Sequence, residues 1–133
     1  MARFGTILAS SLVALLSAAH ARAQMPPHIQ AAQEFLMGWG KGNWEAVKAQ
    51  AGDKVTVKVG GTEYTLDVQG KKADVQLIFP FRGLSAVRVE GKVKGVTVEE
   101  IAVKAGGSER KGKGAVTLDE KDGKFTVTAV AVE

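Results

Sequence analysis

Gly52-Asp53-Lys54-Val55-Thr56-Val57-Lys58-Val59-Gly60-Gly61 is the stretch that decides the fold. Valines at 55, 57 and 59 alternate with Lys54, Thr56 and Lys58, the period of a strand with one face inside and the other in water. Gly60-Gly61 then gives the two-residue signal of a tight hairpin. Tyr64, Leu66 and Val68 resume the alternation against Glu63, Thr65 and Asp67.

Before Gly52 the rhythm is helical. Ile29, Ala32, Phe35, Leu36 and Trp39 form one apolar stripe at helical spacing, after an extended Met25-Pro26-Pro27 lead-in. Gly38, Gly40 and Gly42 break the pattern. Asn43 is a good N-cap for a second, short helix from Trp44 to about Ala51, with Gly52 as its C-cap.

Beyond Val68 the residues at 69–72 read as a turn, and Val75, Leu77, Phe79 and Phe81 as the next inward set. Pro80 cannot donate to a ladder, so the strand ends there, lies at an edge or bulges. Arg82-Gly83 reads as a turn, and Val87, Val89 and Val93 as another inward set. The parity then slips near Gly95 and again at Glu99-Glu100, which calls for a turn or for bulges. Gly106-Gly107-Ser108 is a turn, and strands over residues 115–119 and 124–132 flank a turn at Glu120-Lys121-Asp122-Gly123. A run of helices followed by a run of strands predicts an α+β domain: two N-terminal helices packed on a curved antiparallel sheet of about six strands.

The first residues carry a different message. Arg3 precedes Ile7-Leu8-Ala9-Ser10-Ser11-Leu12-Val13-Ala14-Leu15-Leu16-Ser17-Ala18-Ala19, an uncharged run that ends at Ala21-Arg22-Ala23. A basic start, a short apolar core and an A-x-A end are the parts of a secretory signal. The run is too short to span a bilayer, which takes roughly 20 apolar residues. The expectation is a signal peptide over residues 1–23, a single mature domain over 24–133, no membrane span after processing, and a periplasmic or secreted location. The chain holds no cysteine, so its core stands without disulfides. Its formal charge is +4, and removal of Arg3 and Arg22 halves that, which leaves no electrostatic case for nucleic acid.

Gly42-Asn43-Trp44-Glu45-Ala46-Val47, closing the helix pair and leading into residues 55–61, resembles the nuclear transport factor 2-like superfamily and the wider cystatin-like roll. Thr117-Leu118-Asp119-Glu120-Lys121-Asp122-Gly123-Lys124-Phe125-Thr126-Val127 resembles their last hairpin, in which an acidic-glycine turn precedes an aromatic. The resemblance implies a cone-shaped interior over which the helices lie. That superfamily usually places a third helix after its early strands; residues 70–81 read as strand instead, which favours the simpler cystatin-like arrangement.

The cyclase-like enzymes of that superfamily use a His and an Asp inside the cone, and this sequence offers little of the kind. The mature chain has one histidine, His28, at the start of the first helix, where it reads as solvated. Glu63, Asp67, Asp74 and Glu90 fall on outward positions, where they cannot form a shielded general base. Glu99, Glu100 and Glu34 are the acids that a bulge or a helix turn could carry inward. Gly107-Ser108-Glu109-Arg110-Lys111-Gly112-Lys113 fits most of a phosphate-loop pattern but meets Gly114 where Ser or Thr is required, and it leads into a strand. No catalytic residue, metal ligand set or cofactor is assigned.

A binding site is the sharper expectation. Gly112 and Gly114 share the inward parity of Val116 and Leu118, so a helix packs close over them or they leave a hollow. A hollow lined by Phe35, Trp39, Tyr64 and Phe79 would suit a small apolar ligand. The plainer reading is that these aromatics are the core. Lys92, Lys94, Lys104, Arg110, Lys111 and Lys113 could form a basic band facing an acidic partner, and the sheet could pair two copies of the chain. The functional expectation is a non-enzymatic periplasmic or secreted module that binds a small apolar ligand or a partner protein. A small cyclase or isomerase working from the cone interior, and an inhibitor or adaptor of another envelope protein, are the alternatives.

Overall fold

The computed structural model describes residues 25–133. The signal-peptide reading falls on residues outside these. Helix α1 (Pro27–Lys41) and helix α2 (Trp44–Gln50) precede seven strands: β1 (Ala51–Val59), β2 (Thr62–Asp67), β3 (Lys72–Ala73), β4 (Val75–Val89), β5 (Lys92–Ala105), β6 (Ser108–Lys121) and β7 (Lys124–Val132). No described helix is long and apolar enough to cross a membrane.

The helix pair forms as its residues dictate. Pro27 opens α1, where its fixed φ suits a first turn. Gly42 closes it in the left-handed region at φ +70°, and the Asn43 N–H donates to the Gly38 carbonyl at 2.8 Å. The Asn43 side chain then accepts from the Ala46 N–H and starts α2. Gly38 is where the helices touch, since a Cβ there would lie 2.9 Å from that of Ala46. The short helix ends one residue early for a glycine cap: Ala51 is extended, and Gly52 already belongs to β1.

The strands form one sheet in the order β3-β2-β1-β7-β6-β5-β4. All neighbours are antiparallel except β1 and β7, which run parallel, so the sheet is mixed rather than wholly antiparallel. β3 and β4 lie at opposite edges, yet only Asp74 separates them. One residue reaches at most about 3.6 Å. The sheet must therefore curl until its two edges nearly meet, and this makes the roll. Bulges supply the bend: the β4–β5 register shifts between Ile78 and Arg82 and again beside Gly95, and the β5–β6 register shifts at Glu99-Glu100.

Inside the roll, Phe35, Leu36 and Trp39 of α1 meet Val55, Val57, Leu66, Val75, Val96, Val98, Ile101, Val116 and Val130, all buried. The Trp39 indole N–H donates to the Val75 carbonyl at 2.9 Å, so its polar atom is satisfied in the core.

Three readings along β4 need correction. Arg82-Gly83 is not a turn; Gly83, at φ +80°, kinks a strand that continues to Val89. The reversal comes at Glu90-Gly91, a two-residue loop with both residues at positive φ. Phe79 does not join the buried core: beside the register break at Pro80 it stays 41% exposed at the sheet's edge, its ring lying against Gly40 of α1. Val87 and Val89 are exposed as well, because they lie on the outer face of an edge strand.

Candidate functional site

The proposed aromatic hollow does not assemble. Phe35 and Trp39 are buried against each other, ring centroids 6.0 Å apart, and belong to the packed core. Tyr64 is half-buried on β2, while Phe79 is exposed at the rim of the roll, beside the partly buried Phe81. Gly114 opens no hollow beneath the helices, because Ile101 lies against it, with a Cβ at Gly114 falling 2.7 Å from Ile101 Cγ2; its backbone lines instead a cleft of about 400 Å³ beside Ser85, Thr97 and Lys113. Gly112 is covered by the backbone carbonyl of Glu133. A neighbouring strand and a branched side chain thus occupy the room that the two glycines were expected to open beneath the helices.

The acids that could have faced inward stay at the surface. Glu34 is exposed and accepts from Gln30 and Gln50, the latter at 2.6 Å. Glu99 is exposed on the bulge. Glu100 takes Arg82 at 2.6 Å on one oxygen and Lys111 at 2.5 Å on the other. The hydrogen bonds from Lys111 and Arg82 hold its carboxyl below the usual carboxylate range. Glu100 is therefore ionised and occupied at neutral pH, a structural clamp across β4, β5 and β6. No three His, Asp or Glu side chains among the described residues converge on one point.

His28 reverses its expected role. It is 6% exposed and packs edge-on against Phe125, ring centroids 5.8 Å apart. Burial, with Arg88 nearby, lowers its pKa from 6.5. The folded protein thus takes up this proton less readily than the unfolded chain. The stability from neutral His28 is present above about pH 6.5 and is lost as pH falls through that value toward the lower folded pKa. Melting temperature should therefore hold steady from pH 8 to 7 and begin to drop as pH falls below about 6.5. The substitution His28→Leu should flatten that slope, and an unchanged slope in the variant would assign it elsewhere.

What the structure does build is an outer sheet face. Across the ladder, Ser85, Thr97, Ala115 and Ala131 fall in one row, and Val87, Gly95, Thr117, Ala129, Thr56 and Thr65 in the next. These rows carry small, uncharged side chains over most of the sheet's width. A cleft of about 400 Å³ opens at their margin, between Gly83, Ser85, Thr97, Glu99, Lys113 and Glu133. The other described clefts, of about 270, 260 and 240 Å³, lie among the helices and near the hairpin ends, and none of the four is walled by Phe35, Trp39, Tyr64 or Phe79. The basic band is broken up. Lys111 is neutralised by Glu100, Arg110 folds over the Gly60 turn, and Lys92 and Lys104 lie at opposite ends of β5. The rows could have been found in the sequence only with the register in hand, because Ala and Thr give no hydrophobic period.

No protein-family model and no curated protein matches the chain. Solved structures do. An NTF2-like protein from Cytophaga hutchinsonii aligns over 77% of this chain and 90% of its own, with a TM-score of 0.50 at 11% identity. A cystatin-like protein of unknown function from Nostoc punctiforme aligns over 80% and 87%, with a TM-score of 0.50 at 13% identity. The fold is the nuclear transport factor 2-like, cystatin-like roll. An LEH-like epoxide hydrolase of M. tuberculosis shares it, over 83% of this chain and 81% of its own, with a TM-score of 0.52 at 15% identity. The roll thus houses at least one enzyme, and at these identities likeness extends to the fold alone.

Proposed function

We propose that the chain is an exported, non-catalytic protein-interaction module that works from the outside of its sheet. The filled interior carries this reading. Where a roll of this kind would need a hollow with a shielded acid or base, Phe35, Leu36, Trp39 and Ile101 close the space, and His28 is the one buried polar residue of the described core. Packing of this kind leaves no room for a substrate. The outer rows of Ala, Thr, Ser and Val form instead an uncharged centre, bordered by Lys58, Glu63, Glu99, Lys113 and Asp119. A centre without charge inside a charged rim matches a protein-binding patch in its charge distribution. Export is supported by Arg3, the uncharged run over residues 7–19 and Ala21-Arg22-Ala23.

Native mass spectrometry of the protein taken gently from its own compartment tests the reading. The expected mass is that of residues 24–133 with no small molecule attached. A co-purifying small ligand of stoichiometric amount, or a chain that retains residues 1–23, would overturn the corresponding half.

A further inference from the structure

The cleft of about 400 Å³ on the outer face is a groove that runs across the strands. Its floor passes over Ser85 on β4, Thr97 on β5, Ala115 on β6 and Ala131 on β7, which are register partners in turn. Strands lie about 4.8 Å apart, so three steps make a length of about 14 Å, the reach of about four extended residues. One end opens at the free edge of β4, and Lys58, opposite Ala131 on β1, closes the other.

The two walls differ in charge. On one side Val87, Gly95, Thr117 and Ala129 carry none. On the other stand Glu99 and Lys113, one strand apart. Glu100 next door is held by Arg82 and Lys111, yet among the described residues neither Glu99 nor Lys113 has an ion-pair partner. The bulge is the reason. It sets two residues, Glu99 and Glu100, against the single Lys113, between the pairs Val98–Gly114 and Ile101–Gly112. Glu99 then leans the other way, across the bare backbone of Gly83, where a side chain would strike its Cβ and its carboxylate. The wall thus presents an unneutralised carboxylate toward β4 and an unneutralised ammonium over β6.

We propose that this groove holds an extended segment of a partner protein in which a basic and an acidic residue stand two apart, the basic one over Gly83. The proposal rests on the reading of the chain as an interaction module and states what its partner must carry. Residues two apart in an extended chain point to the same side and lie about 6.8 Å apart. A Lys or Arg that meets Glu99 therefore turns the acid toward Lys113, while the side chain between them lies against the uncharged wall at Val87 and Thr117. A segment with two bases or two acids leaves one wall charge repelled and the other alone, which is how the groove discriminates. Glu133, also in the lining, disfavours a further acid at the closed end.

The probe is the peptide acetyl-Ala-Arg-Ala-Asp-Ala-amide, titrated into the isotope-labelled protein and followed by amide NMR. The expected result is one saturable curve shared by Ser85, Thr97, Lys113 and Ala115, with a dissociation constant on the order of a millimolar. Glu99→Gln and Lys113→Gln should each weaken binding about threefold, the effect of one exposed ion pair. Ala115→Tyr, at an exposed strand position in the floor, should abolish it. Glu99→Lys should lose the mixed peptide and bind the version with Asp in place of Arg, while Lys121→Glu, at the far end of β6, changes neither preference. The amide spectrum of each free variant shows that it is folded. Shifts that do not saturate, that fall outside the groove, or that survive Ala115→Tyr overturn the proposal. Such a failure with no small molecule in the native mass spectrum leaves the interaction reading standing, whereas a stoichiometric small ligand sinks that reading whatever the peptide does.

Discussion

Phe35→Ala is expected to lower unfolding free energy by about 3–5 kcal/mol, the range for emptying a large aromatic site in a well-packed core. A small domain has roughly 5–15 kcal/mol in total, so the variant should sit near the edge of folding at 37 °C. The reason is the position of Phe35 rather than its size alone. It is fully buried on the helix stripe that closes the roll, with Trp39 tilted against it and strand valines below. Urea denaturation at pH 7.5, where His28 is neutral in either state, measures the loss. A cost below about 1.5 kcal/mol would mean that the side chain borders open space, and the hollow expected from the sequence would regain its place.

The second large effect is a pair. Ile101→Ala alone should cost about 2–5 kcal/mol, because it empties a fully buried site. Gly114→Ala alone should cost about 1–3 kcal/mol, because its new methyl collides with Ile101 Cγ2. Combined, the two changes should cost less than their sum by at least about 1 kcal/mol, since the alanine at 114 moves into the space that Ile101 vacates. Strict additivity in urea melts of the three variants would show that Ile101 does not fill the gap over Gly114. This cycle separates a glycine kept for packing from a glycine kept for a ligand.

The parts of the molecule that could be read from the sequence are those where one side chain's period decided the matter. The apolar stripe at 29–39, the valines at 55–59 and the turns at Gly60-Gly61, Gly106-Gly107 and Asp122-Gly123 all stand where spacing put them. The two parity slips in β5 proved to be bulges. Residues 79–89 could not be read in this way. Phe79, Val87 and Val89 look inward, and only Phe81 between them packs on the core; a bulge costs a strand its phase, and at an edge nothing forces the apolar residues back in. Gly83 was mistaken for a reversal because glycine at positive φ serves a kink as well as a turn. His28 was mistaken for a solvated residue because its cover, Phe125, comes from a strand nearly a hundred residues away. The candidate site failed for the same reason: four aromatics and two glycines have a parity, but whether they share a cavity depends on which neighbour across the ladder fills it.

The parallel pairing of β1 with β7 has a consequence for how the molecule comes into being. The first hairpin made, β1–β2, has no place in the sheet until the last strand arrives to carry it. Chains emerge at about 5–20 residues per second, and contacts between distant segments close slowly. A ribosome-bound chain therefore holds Val55, Val57 and Val59 without their partner strand, and a holding chaperone would protect that interval. Loss of β7 would leave a three-stranded remnant, β4 to β6, with an orphaned hairpin, rather than a slightly shortened protein.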